Sequence, residues 1–392
     1  KKNKWFFRNG NKVYIYGHEG NKFFLKNENK LNPINKDLFL SLGKKKLIPI
    51  IMNFYEDKKH KPLKKKHLSF INQKKNSDFL LYLENSIDEY LEKILDKKIN
   101  LIEEVSKLII KTHSSFFQSL NLNDKELSEL YFYKDYYTMG MYLPKNELIK
   151  YYDNLKFLKS EKKFINIYKK NKNFNNKIDI YEISNFYNYT IAGSTNIAKA
   201  LSYILSLVIE NFKSIEALKN KNKFISDETL SKYLIYEFYR FISIVNNQMI
   251  SPFLYRVAKE DIYYKNKIFI KKKENLWFFN TLDYFDSKCF ASPLVFNPFR
   301  WKNKNLKLPH KTFGIGKHTC CGTYFADKWL FLFLKKFLSS YKIKKGSKLL
   351  NKQYNPRVKK VLKSFFLLQI VKKNIWFFLQ FVCKYIIIII IF

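Results

Sequence analysis

The chain has 392 residues, 46% of them hydrophobic and 18% aromatic, which supplies a large core and excludes a disordered tail or a collagen-like repeat. Lys and Arg number 73 against 33 Asp and Glu, a formal charge of +40, yet only five are arginine (Arg8, Arg240, Arg256, Arg300 and Arg357). Readers of phosphate and bases lean on the guanidinium fork, and here lysine is spread evenly alongside inflated Asn, Ile, Phe and Tyr, so the charge reads as compositional bias and a nucleic-acid partner is disfavoured.

In chain order, short apolar runs around Gly10, Gly17 and Gly20, such as Val13-Tyr14-Ile15-Tyr16, predict a small hairpin within residues 1–30. Basic, partly helical sequence runs to about residue 75. Leu80, Leu83, Ile87, Tyr90, Leu91 and Ile94 recur at three- and four-residue spacings and predict amphipathic helices between Asp78 and Leu120. More helix follows, broken at Gly140–Pro144 and in the Asn-rich stretch 171–176. Ile178–Phe212 is apolar on all sides and predicts a long central helix, interrupted by Ala192-Gly193-Ser194-Thr195-Asn196. Asp227–Asn247 predicts a further helix, residues 255–300 short strands and loops, and Thr323–Leu338 an apolar helix entered from a glycine-punctuated loop at 309–322. The fold class is mainly α with a small β lobe.

The ends of the chain carry their own expectations. It starts at Lys1 rather than Met, as a truncated N-terminus would. Residues 373–392 form an apolar low-complexity tail with six consecutive isoleucines, close to the ~20 residues that span a bilayer and so long enough to serve as a membrane anchor. Four cysteines (Cys289, Cys320, Cys321 and Cys383) give neither a disulfide framework nor a Cys-x-x-Cys zinc pair, and a reducing compartment is the default.

The sharpest chemical signal is Thr312-Phe313-Gly314-Ile315-Gly316-Lys317-His318-Thr319-Cys320-Cys321-Gly322, directly before a helix. The glycines describe a tight loop that brings backbone close to a partner. A cysteine at a helix N-terminus, beside His318 and Lys317, is the setting of a metal ligand or a nucleophile. Phosphate-binding loops also use glycine before a helix, but the fixed positions Phe-Gly-x-Gly-x-His-x-Cys-x-Gly resemble the haem-binding loop of the cytochrome P450 family throughout.

The resemblance implies the cytochrome P450 fold over residues 1–372, with haem between the long central helix and the cysteine loop. It implies heme b with Cys320 as the axial thiolate and only metal ligand, and places Phe313, Gly314 and His318 in the cofactor-binding loop. Cys321 stands where the family has an apolar residue and is read as packing. Glu237 and Arg240 resemble the family's Glu-x-x-Arg helix, and Arg300, in Pro298-Phe299-Arg300-Trp301, the loop arginine that completes the charge triad. Arg256, in Tyr255-Arg256-Val257-Ala258, resembles the strand arginine that binds a haem propionate. His60 and Lys64, one turn apart, resemble the propionate clamp, with Lys64 in place of Arg. Asp327 departs from the family's Arg after the loop.

On the oxygen side, Ala192-Gly193-Ser194-Thr195-Asn196 resembles the Ala/Gly-Gly-x-Asp/Glu-Thr motif. Thr195 takes the acid position and Asn196 the alcohol position, or Ser194 and Thr195 form a hydroxyl pair after a slip of one residue; no carboxylate fits either register. The implied function is a haem-thiolate monooxygenase acting with O2 on an apolar small molecule, with electrons from a ferredoxin, flavodoxin or reductase. The missing acid leaves open a peroxygenase or an isomerase or dehydratase without O2 activation, and the truncated start, the apolar tail and Lys64 in place of Arg leave open a degenerate inactive relative. A monomer is expected, cytoplasmic or membrane-associated through its tail. Pocket-lining stretches implied by the family are 45–55, 138–145, Phe186–Ala192 and Pro252-Phe253-Leu254.

Overall fold

The computed structural model describes residues 5–33, 57–73, 77–93, 100–141, 154–172, 180–210, 226–245, 254–287, 289–303, 305–306 and 310–340. All belong to one compact unit, residues 1–344; the C-terminal tail lies outside the described residues. Two strands, β1 (Phe6–Asn9) and β2 (Lys12–Tyr16), form the hairpin expected near the start. Gly10 turns it with φ of +56°, as the first central residue of a two-residue hairpin loop demands.

The sequence reading placed Gly17 and Gly20 in that hairpin. They instead open helix α1 (Gly17–Asn27). Gly17, at φ +69°, turns the chain out of β2, and Gly20, Phe23, Phe24 and Asn27 then repeat at helical spacing on one buried face. Phe24 stacks on Phe278 with centroids 4.2 Å apart. Beyond a short turn at Glu28–Lys30, β3 (Leu31–Pro33) pairs with β4 (Leu254–Ala258). A five-stranded sheet of order β1-β2-β7-β4-β3 results, in which β2 runs parallel to β7 (Asn275–Phe279). A second hairpin joins β5 (Ile262–Tyr264) to β6 (Lys267–Ile270).

The remaining described chain is helical: α2 (Asp57–Gln73), α3 (Ser77–Lys93), α4 (Leu101–Gln118), α5 (Asp124–Met141), α6 (Leu155–Lys172), α7 (Ile180–Phe186), α8 (Ser194–Glu210), α9 (Asp227–Val245) and α10 (Thr323–Ser340). The expected central helix is there, broken where expected. A π-helical turn, Tyr187–Ile191, follows α7, with Ala192 N–H donating to Tyr187 O at 2.8 Å. Gly193, at φ +86°, then leaves helical geometry before α8 begins. Residues Val105, Ile109 and Ile110 bury α4, which packs on α8, on the π turn and on α5. Among the described residues no helix is long and apolar enough to cross a membrane.

Candidate active site

The loop before α10 is shaped by its glycines. Gly314 and Gly316 take φ of +87° and +77°, a region closed to most side chains. Cys320 N–H donates to Phe313 O at 2.9 Å, and Gly314 N–H to Lys311 O at 2.9 Å, folding the loop back on itself beneath the helix start. At the helix entry, Gly322 N–H donates to Cys320 Sγ at 3.3 Å.

Cys320 is exposed to solvent, yet desolvation by surrounding protein raises its thiol pKa, against the Gly322 N–H and the charge of Lys64. Burial therefore outweighs the helix-terminus stabilisation expected from the sequence, and holding the thiolate calls for a cation at the sulfur. Cys321 is half-buried, its thiol likewise raised by burial, as packing requires.

Charged groups gather beside the loop. His60, on α2, is buried, and its ring centroid lies 4.2 Å from that of His318. Lys64, one turn on, donates to Thr319 O at 3.0 Å and to Lys317 O. Its ammonium therefore ties α2 to the cysteine loop, an anchoring use that the clamp reading did not foresee. His60 and Lys64 line a cavity of ≈ 1000 Å³ with Lys61, Lys65, Leu68 and Lys317. Arg256, on β4, lies in the interior; desolvation lowers its pKa to about 10, opposed by the nearby charge of Glu28.

The charge triad is assembled on α9. Glu237 and Arg240 are fully buried, with Arg240 Nη2 2.6 Å from Glu237 Oε1 and Arg300 Nε 3.1 Å from Oε2. Trp301, standing where the family has Phe, adds an Nε1–H bond to Glu237 Oε2 at 3.0 Å, and Asn297 N–H a bond to Oε1 at 2.9 Å. Arg240 also donates to the carbonyls of Tyr284, Pro293 and Val295. Every lone pair of this buried carboxylate that geometry offers is used, which is the condition for keeping such a charge inside. Asp327 has a partner of its own: Tyr239 OH donates to Oδ1 at 2.6 Å, and burial with Asp327 raises the Tyr239 pKa. Phe313 packs edge-on against the Tyr239 ring at 4.9 Å.

The family model for cytochrome P450 matches residues 52–367. The chain belongs to the cytochrome P450 family. This P450 is 27% identical to abscisic acid 8'-hydroxylase 4 of Arabidopsis thaliana, over 42% of this chain and 37% of that one. It is 28% identical to ent-kaurenoic acid oxidase of Oryza sativa subsp. japonica, over 40% and 27%. The matches thus span about a third of the length of these curated relatives. Its fold is shared with P450BioI, solved with a hexadec-9Z-enoic acid-ligated acyl carrier protein, at TM-score 0.62 and 17% identity over 83% of this chain and 84% of that one. It is shared also with CYP109E1 of Bacillus megaterium, at TM-score 0.59 and 16% identity over 86% and 87%.

The cofactor of the family is haem held by a cysteine thiolate, and the residues present fit it. The Cys320 sulfur, with Gly322 N–H on it and the charge of Lys64 acting on it, is a donor that would suit a bound metal ion, and the cationic side chains of Lys64 and Arg256 would suit carboxylates. On the oxygen side, Ser194 and Thr195 are buried while Asn196 is exposed. Ser194 Oγ donates to Ile191 O at 2.8 Å, closing the helix break, and the Thr195 hydroxyl, also buried, finds no hydrogen-bond partner among the described residues. The slipped register, with Ser194 and Thr195 together, is thus the one whose side chains share a buried face. Of the implied pocket stretches, Phe186–Ala192 is the π turn; residues 45–55, 142–145 and 252–253 lie outside the described residues. Glu28, buried against the cysteine loop, escaped the sequence reading, and no local pattern marks it.

Proposed function

We propose that this P450 is a haem-thiolate monooxygenase that inserts one oxygen atom from O2 into an apolar small molecule, drawing electrons from a ferredoxin, flavodoxin or reductase. The observation that carries the reading is the seat of Cys320: an accessible thiol on a glycine-shaped loop at the start of α10, with Gly322 N–H on its sulfur and the charge of Lys64 acting on it. Haem bound on such a thiolate supplies oxygen-activating chemistry. In this reading Cys320 is the axial ligand, Phe313 and Gly314 wall the loop, and His60, Lys64, His318 and Arg256 orient the carboxylate rim. The lysines beside the loop, Lys61, Lys64, Lys65 and Lys317, suit an acidic electron carrier. Abscisic acid and ent-kaurenoic acid, in the names of matched relatives, support an organic substrate with a large apolar skeleton.

Thr195 is the group we assign to proton handling: its buried hydroxyl is available, whereas that of Ser194 is committed to Ile191. A hydroxyl relays a proton but is no acid at neutral pH. That favours a second reading, in which the site works with peroxide or rearranges its substrate without O2.

The test is the carbon-monoxide difference spectrum of the reduced, purified full chain. A thiolate-type Soret band that disappears in Cys320→Ala is expected; a well-folded wild type that takes up no haem overturns the proposal. Turnover with reductase and O2, compared with peroxide alone, separates the two readings.

A further inference from the structure

Glu28 closes α1 and is nearly as buried as the core around it, with 6% of its surface exposed. In a chain with more than twice as many basic as acidic residues, a buried carboxylate needs a reason. Both of its oxygens lie 2.9 Å from the backbone N–H of Lys317, on the loop that carries Cys320 and 289 positions away in sequence. Its charge also acts on Arg256 of β4. One carboxylate thus reaches across from the end of α1 to the backbone of the cysteine loop.

The loop is built around this contact. A Cβ on Gly316 would sit 2.7 Å from both Cδ and Oε1 of Glu28. Real Cβ atoms do not approach so closely. The positive φ of Gly316 favours glycine there, and the movable carboxylate end of Glu28 occupies the space that a Cβ would take.

We propose that Glu28 is a positioning residue of the cofactor site, holding the cysteine loop against the end of α1 through Lys317 N–H, so that Cys320 is kept in fixed register. The proposal rests on the haem-thiolate reading above. It assigns to the segment between α1 and β3 a role in keeping the thiolate on its metal, beyond packing the lobe.

The contact is a hydrogen bond to an ionised group, and such bonds are worth enough for about a tenfold change when lost. In the purified full-length holoprotein, Glu28→Gln keeps the shape and one acceptor but removes the charge. It is expected to release haem to an acceptor globin about tenfold faster, and to convert part of the reduced carbonyl complex from the thiolate-type Soret band to the blue-shifted band of a lost thiolate. Far-ultraviolet circular dichroism should stay unchanged. Should Glu28→Gln fail to fold, Glu28→Asp offers the charge at shorter reach, with the same two readouts expected in milder form. A folded Glu28→Gln with wild-type haem release and an unshifted carbonyl band overturns the positioning role. Failure of the underlying reading looks different: the wild type itself then lacks the thiolate band, or Cys320→Ala keeps it.

Discussion

Trp329 Nε1–H donates to His113 Nε2 at 2.8 Å, joining α10 to α4 at a point where both side chains are buried. With Nε2 accepting, the ring proton resides on Nδ1, and the second hydrogen bond of His113 goes to the backbone of Tyr189 in the π turn. One imidazole thus links the helix leaving the cysteine loop to the irregular turn of the central helix. A π turn frees backbone carbonyls from the α-helical ladder, and a neutral histidine is well suited to satisfy one.

That bond has a pH signature. Burial lowers the His113 pKa to about 3 from an ordinary 6.5, so the folded protein keeps the ring neutral while the unfolded chain protonates it. The unfolded state then binds the extra proton between these values, and stability falls as the pH drops below 6.5. The slope is about 1.4 kcal/mol per pH unit for one such group. His113→Gln keeps an acceptor for Trp329 and does not titrate. Urea unfolding at pH 7 and pH 5 should show the wild type losing about 2 kcal/mol more than this variant; equal losses would mean that His113 is already protonated in the fold.

The Glu237 carboxylate makes a different demand. Glu237→Ala leaves Arg240 buried without its carboxylate and should cost about 3–5 kcal/mol, enough to abolish soluble holoprotein. Trp301→Phe restores the residue type of the family and removes only the indole N–H bond. Its expected cost is about 1 kcal/mol, read from the urea midpoint, with haem content unchanged. A loss as large as that of Glu237→Ala would make Trp301 a member of the triad rather than an accessory to it.

The residues that sequence could reveal are those bound by local spacing. Phe313 to Gly322 were legible because a sharp loop around a cysteine restricts residue types at fixed offsets, and Glu237 with Arg240 only through the resemblance to the family's Glu-x-x-Arg helix, since three-residue spacing on one helix face is common among surface pairs. The break at Ala192–Asn196 was legible because glycine and short polar residues interrupt an apolar helix. Helix α1 was not, since its two glycines carry the same signature as a turn and only packing of Phe23 and Phe24 decides between them. Glu28, His113 and the Trp301 bond to Glu237 were hidden for another reason: their partners lie 289, 216 and 64 positions away, and no local pattern encodes such a meeting. Lys64 was found by its spacing from His60, but its bonds to the carbonyls of Lys317 and Thr319 come from the docking of α2 on the loop.

Thr195 offers the most direct test of oxygen chemistry. Its side chain is buried and its hydroxyl has no hydrogen-bond partner among the described residues, so Thr195→Val, of nearly the same shape, removes a desolvated polar group without breaking a bond. Stability should stay level or rise slightly by thermal unfolding. If the hydroxyl relays protons during O2-dependent turnover, product formed per reductant consumed should fall by about 10²-fold, the scale of a lost proton-transfer group. Peroxide-driven turnover, which arrives with its protons in place, should persist. Ser194→Ala is the control, since Ser194 Oγ is held by Ile191 O; it should loosen the helix break and cost about 1 kcal/mol while leaving coupling intact. Equal behaviour of Thr195→Val and wild type in both assays would move the proton path elsewhere, whereas a wild type that turns over with peroxide but not with reductase and O2 would strengthen the reading in which this P450 works without O2.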